Sequence, residues 1–266
     1  VTYAITAQSC TGAFAIDSSS GAITVADTSA IDYETATSCT ITVRATSADD
    51  STSDTTFTVT ITDIDEFDVG AVTDTDSDAN TLAEDVSNGA TAEITASATD
   101  ADGSTNTVTY AITAQSCTGA FAIDSSSGAI TVADTSAIDY ESGTTCTIDV
   151  TATSADGSTS DTTFTVTLTD VNDQTPTYTS ADTTPSVAEG TTAVETVAIT
   201  DTDTGDSNTC TLAGQDSSLF TCTVDATQYA LAFTSAPDFE NPLDAGADNT
   251  YVVYVTISDG TNTGSM

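Results

Sequence analysis

The chain has one basic residue, Arg44, and neither histidine nor tryptophan. Nucleic acid and anionic membrane surfaces are therefore poor partners, since both are held by Lys and Arg. The lack of His removes the commonest general base and the commonest zinc ligand. Ser and Thr are abundant, but no partner base is present to activate them. No apolar run approaches the ~18 residues of a membrane helix. No N-x-S/T sequon occurs, although O-linked sugars on the many Thr residues remain compatible with the sequence.

What is present is acid. Forty-one Asp and Glu give 266 residues a net charge of −40. Such self-repulsion calls for disorder, high salt or many bound cations. Disorder is disfavoured, because 38% of residues are hydrophobic and they alternate with polar ones. The six cysteines show no C-x-x-C spacing, which argues for disulfides in an oxidising compartment rather than a zinc site.

Residues 1–34 recur unchanged at 108–141, a shift of 107. Residues 174–266 repeat the pattern more loosely. The expected organisation is the C-terminal part of one repeat (1–66), a complete repeat (67–173) and most of a third (174–266). The opening at Val1-Thr2-Tyr3 falls mid-pattern, so a longer array upstream is expected. A unit of about 100 residues suits a β-sandwich rather than a solenoid turn. Within one period the alternation predicts strands near Asn80–Glu84, Ala92–Thr99, Thr107–Thr113, Phe121–Asp124, Ala129–Val132, Cys146–Thr153 and Thr162–Thr169. Ile148, Val150, Ala152, Phe164, Val166 and Leu168 are the expected core, with Thr on the wet face. No helix of useful length is evident.

The acids gather in recurring motifs. Asp32-Tyr-Glu34 returns as Asp139-Tyr-Glu141 and Asp238-Phe-Glu240. Asp100-Ala-Asp102 returns as Asp201-Thr-Asp203, followed by Asn106 and Asn208. Asp63-Ile-Asp65-Glu66 returns as Asp170-Val-Asn172-Asp173. Glu84 and Glu189 each precede a glycine turn, and Asp49, Asp156 and Asp259 end strands. Alternate strand residues point to one side, so these spacings aim two carboxylates at one place. Like charges so close need a cation between them, and an all-oxygen set with no Cys or His selects calcium.

In these ordered motifs, and in Asp170-Val-Asn-Asp-Gln-Thr-Pro176, the chain resembles the cadherin repeat. The resemblance implies an all-β array of seven-stranded Greek-key sandwiches, cadherin- or immunoglobulin-like, joined end to end. It also implies calcium between consecutive repeats. Carried over, the first junction uses Asp32, Glu34, Asp63, Asp65, Glu66, Asp100, Asp102, Asn106 and Asp156. The second uses Glu84, Asp139, Glu141, Asp170, Asn172, Asp173, Asp201, Asp203, Asn208 and Asp259. Glu189, Asp238 and Glu240 belong to a third junction.

There are departures from the family pattern. The first linker lacks the proline and carries Asp65 and Glu66 for the usual Asn and Asp, from which weaker binding or more bending is expected. Strand-exchange adhesion through a tryptophan is unsupported. Cysteines are not general in the family; the equal separations of Cys10 from Cys39 and Cys117 from Cys146 point to disulfides within each repeat, with Cys210 and Cys222 pairing separately. Inter-chain bonds are the alternative.

The paired carboxylates recur with the repeat rather than forming one cleft, so no enzyme is expected. The expected product is a calcium-rigidified, extracellular or cell-surface rod. It would serve as the stalk of an adhesin or, alternatively, as a structural subunit of a filament or sheath. Its partners would be calcium ions and copies of itself or neighbouring surface proteins. A carbohydrate-binding module ranks last, because Tyr3, Tyr110 and Tyr140 sit in repeat motifs that read as core.

Overall fold

The structure is a computed structural model and describes residues 1–178, 181–205 and 207–265. Among them the only helical elements are the 3-10 turns Thr28–Ala30, Thr135–Ala137 and Ser217–Leu219. The rest is strand and turn, as expected from runs rich in Thr, Val and Ile bounded by Gly, Asp and Ser. Among the described residues no helix is long and apolar enough to cross a membrane.

The chain forms two compact units. One holds Val1–Asn80, Asn88–Asp134 and Thr147–Thr165; the other holds Thr81–Ser87, Thr135–Cys146 and Val166–Met266.

In the first unit, Thr2–Gln8, Ser38–Thr46 and Thr52–Thr60 make an antiparallel sheet in that order. The hairpin Phe14–Ile16/Ile23–Val25 lies beside it in sequence. Ala13, Phe14, Cys39, Ile41 and Val43 form a buried cluster, with Cys10 bonded to Cys39. A second sheet orders Phe121–Ile123, Ala129–Val132, Thr91–Ser97 and Thr73–Asp74. Val108–Gln115 pairs antiparallel with Thr145–Ser154, with a bulge between Asp149 and Val150.

In the second unit, Thr81–Ala83 runs parallel to Thr167–Thr169. Two further sheets follow the orders Thr177–Tyr178, Ala193–Thr200, Gln228–Phe233, Phe220–Val224 and Thr209–Ala213, Tyr254–Ser258, Thr263–Ser265. Their core includes Val197, Tyr229, Leu231, Phe233 and Ile257. Phe233 stacks on Phe220 at 4.4 Å and meets Tyr251 edge-on. Cys210 is bonded to Cys222. Cys117 and Cys146 are likewise disulfide-bonded, and no cysteine is free.

The expected strands are all present, with ends displaced by a few residues. Ile148, Val150, Ala152, Phe164, Val166 and Leu168 are all buried. Thr73–Asp74 was not expected, because two residues are too few to show a period.

Candidate functional site: two carboxylate clusters

Each unit contains a cluster of acids drawn from sequence-distant motifs. In the first unit, ligand-capable oxygens of Glu34, Asp63 and Glu66 lie within 4.8 Å of one another, as do those of Asp65, Asp102 and Asp156. In the second unit the corresponding trios are Glu84, Glu141 and Asp170, and Glu141, Asp173 and Asp203. Two unit charges 4 Å apart repel by about 1 kcal/mol in water and about 4 kcal/mol near a protein surface. The main chain offsets part of that cost.

In the first cluster, Asp102 is the anchor. Its Oδ1 accepts the backbone N–H groups of Glu66 at 3.2 Å and Phe67 at 3.3 Å. Its own N–H donates to Asp100 Oδ1 at 3.1 Å. Gly103 N–H donates to Glu34 Oε1 at 3.1 Å, and the Ser104 hydroxyl donates to Asp63. Ser158 N–H donates to Asp156 at 2.6 Å. At Asp65, burial and the charges of Asp156, Asp102 and Asp100 raise the carboxyl above its ordinary value.

The second cluster repeats the plan. Glu84, buried, accepts from Tyr140 N–H and Val171 N–H, each at 2.7 Å. Thr204 N–H and its hydroxyl both donate to Asp170 Oδ2. Gln174 N–H donates to Asp203 at 2.9 Å. Asp259 takes the N–H groups of Thr261 and Asn262. Burial, then the carboxylates of Glu84, Asp170 and Asp203, push Glu141 up to about 7.

These bonds leave one side of the acids bare. Buried oxygens with no hydrogen-bond donor include Asp63 Oδ1, Asp100 Oδ2, Asp102 Oδ2, both Glu141 oxygens, Asp170 Oδ1, Asn208 Oδ1 and Asp259 Oδ2. Buried acceptors without a donor are costly. Converging acceptor oxygens with no nitrogen or sulfur among them fit a hard divalent cation of the calcium kind.

The other expected residues are held differently. The Asp32 carboxylate is turned into its own loop, accepting from Glu34 N–H, Thr35 N–H and the Thr35 hydroxyl. Asp139 is held the same way by Ser142. Asn106 is exposed, unlike Asn208. Asp201 is half-buried next to the second cluster and orients Asp203 N–H at 3.4 Å. Glu189, Asp238 and Glu240 are exposed, yet Phe239 N–H donates to Glu189 as Tyr140 N–H does to Glu84. The turn after Asp49 copies that after Asp156, with Ser51 N–H on the carboxylate. One grouping escaped sequence reasoning: Asp76, Asp78 and Glu93. The D-x-D spacing there was the available signal.

The cadherin domain model matches residues 1–62 and 78–169. The chain belongs to the cadherin family. No curated protein matches this cadherin's sequence. Solved structures of the same fold include mouse cadherin-23 EC22–24, with TM-score 0.74 and 23% identity over 100% of this chain and 83% of that one. Mouse protocadherin-24 EC1–3 follows at TM-score 0.72 and 20% identity, covering 100% and 88%. Protocadherin gamma B2 domains 3–6 match at TM-score 0.65 and 25% identity, covering 100% and 63%. This cadherin spans only 51% of the longer protocadherin gamma B2 structure of domains 1–5. At these identities the likeness is one of fold: tandem β-sandwiches, as the sequence predicts.

Proposed function

We propose that the chain is a segment of an extracellular, calcium-rigidified rod that serves as the stalk of a cell-surface adhesin. The repeats run 1–66, 67–173 and 174–266 in this reading. Calcium is held at the boundary of the first two by Glu34, Asp63, Asp65, Glu66, Asp100, Asp102 and Asp156. At the next boundary the ligands are Glu84, Glu141, Asp170, Asp173, Asp203, Asn208 and Asp259. Asp32 and Asp139, whose carboxylates are braced by their own loops, complete the two sets, and Glu189, Asp238 and Glu240 serve a further boundary.

The observation that supports this reading is the set of buried carboxylate oxygens lacking donors in both clusters. A net charge of −40 makes neutralisation by cations a condition for straight, stiff repeats. Dissociation constants of extracellular calcium modules, roughly 10⁻⁴–10⁻³ M, match this setting. Family membership supports a binding and adhesion role rather than catalysis. Partners in this reading are copies of the same chain or neighbouring surface proteins.

Negative-stain electron microscopy in millimolar calcium and then in chelator tests the proposal. Separate straight rods that become floppy in chelator are expected of a stalk. Ordered polymers of fixed diameter would instead make the chain a subunit of a filament or sheath. Rods indifferent to chelator would overturn the calcium reading.

A further inference from the structure

The two clusters are not chemically equal. Asp65 and Asn172 hold the same place in the repeated linker motif. Asn172 is occupied within the protein: its Nδ2–H donates to the Asp259 carbonyl at 3.4 Å and its Oδ1 accepts from Asn262 at 3.3 Å. Asp65 instead turns a carboxylate oxygen toward those of Asp102 and Asp156, all within 4.8 Å. Asp102 is only 1% exposed, and its Oδ2 is buried with no donor. Asp100 accepts the Asp102 N–H through Oδ1, and its Oδ2 is buried and bare as well.

We infer that Asp65 makes the pocket of Asp65, Asp100, Asp102 and Asp156 the tightest and most charge-selective cation site in the chain. The inference rests on the calcium reading above. It reverses the weaker binding expected from the linker's departure from the family motif. The physical reason is charge count on a fixed frame. An amide at this position offers one dipole oxygen, whereas a carboxylate adds a full negative charge, and ligand charge tunes calcium affinity over decades. Asp102 is pinned by two backbone N–H groups, so the site cannot relax outward to dilute its own field. The same excess charge favours a trivalent lanthanide over calcium more strongly here than in the second cluster.

The test is a calcium titration of the isotope-labelled 266-residue chain followed by NMR. The amides of Glu66 and Phe67 report the first cluster, and those of Gln174 and Thr204 the second. The first pair is expected to saturate at roughly tenfold lower calcium. Asp65→Asn should bring the two midpoints together, and Asn172→Asp should move the second midpoint down. A lanthanum competition should displace calcium from the first pair at the lower ratio. Equal midpoints in the parent chain, or a first midpoint that Asp65→Asn leaves in place, would overturn the inference while leaving the calcium reading intact. No response of either pair at millimolar calcium would overturn both.

Discussion

Glu84 reaches across 87 positions of sequence to accept the backbone N–H of Val171 at 2.7 Å, while its second oxygen takes Tyr140 N–H at the same distance. One buried carboxylate thus ties the linker Asp170–Asp173 to the loop that carries Glu141, and it is itself a member of the cluster.

Glu84→Gln presents an amide N–H to one of those two backbone donors. The lost bond and the repelled N–H should cost about 1–3 kcal/mol. Thermal melting in calcium should fall, and the calcium midpoint of the second cluster should rise with the first unchanged.

Glu141 sets a pH dependence. Its folded-state value, about 7, lies above the ordinary 4.5. Between these values the metal-free folded chain keeps a proton that the unfolded chain releases. Metal-free stability should therefore fall as pH rises through that window and be fully present below 4.5. Calcium needs the ionised form, so affinity at the second cluster should fall as pH drops below about 7. Melts in chelator and calcium titrations at pH 5.5 and pH 8 check both signs.

Asp102→Asn keeps the shape but removes a charge from the buried anchor of the first cluster. Calcium binding there should weaken, while the amides of Gln174 and Thr204 titrate as before. Equal losses at both clusters, read by site-resolved NMR, would contradict independent sites.

The disulfide Cys10–Cys39 closes 29 residues. Replacing both cysteines with alanine should cost about 3–4 kcal/mol if loop entropy dominates. Cys210–Cys222, separated by 12 residues, should contribute about 3 kcal/mol on the same basis. Denaturant melts of each double variant measure the difference.

Gly128 and Gly119 both have positive φ, but a Cβ on Gly128 would sit 1.9 Å from the Ala96 carbonyl oxygen, whereas one on Gly119 has open space. Gly119→Ala should cost on the order of 1 kcal/mol for backbone strain. Gly128→Ala should cost clearly more, because the neighbouring strand must move. Melting temperatures of the two variants rank them.

Much of this was legible in the chain. Period-two alternation placed the strands, since each side chain's face follows from its position alone. The ordered D-x-E, D-x-D and linker motifs named nearly every member of the clusters. The loop bonds of Asp32 and Asp139 were not legible from spacing. Their turns offer nearby hydroxyl and N–H donors, and these local bonds take up oxygens that the spacing alone makes available. Asp76, Asp78 and Glu93 were missed because Glu93 comes from a neighbouring strand.

The amino-acid sequence by itself determined the strand pattern, the repeat, the charge and the pairing of acids on common faces, all properties of local spacing. It could not decide what each copy of that pattern would meet. Asp65 and Asn172 hold equivalent places in the repeat, yet the carboxylate of one meets Asp102 and Asp156 while the amide of the other meets Asp259 and Asn262. Burial, the convergence of distant carboxylates and the different partners of Asp65 and Asn172 are set by neighbours far away in sequence. They exist only once the strands have paired.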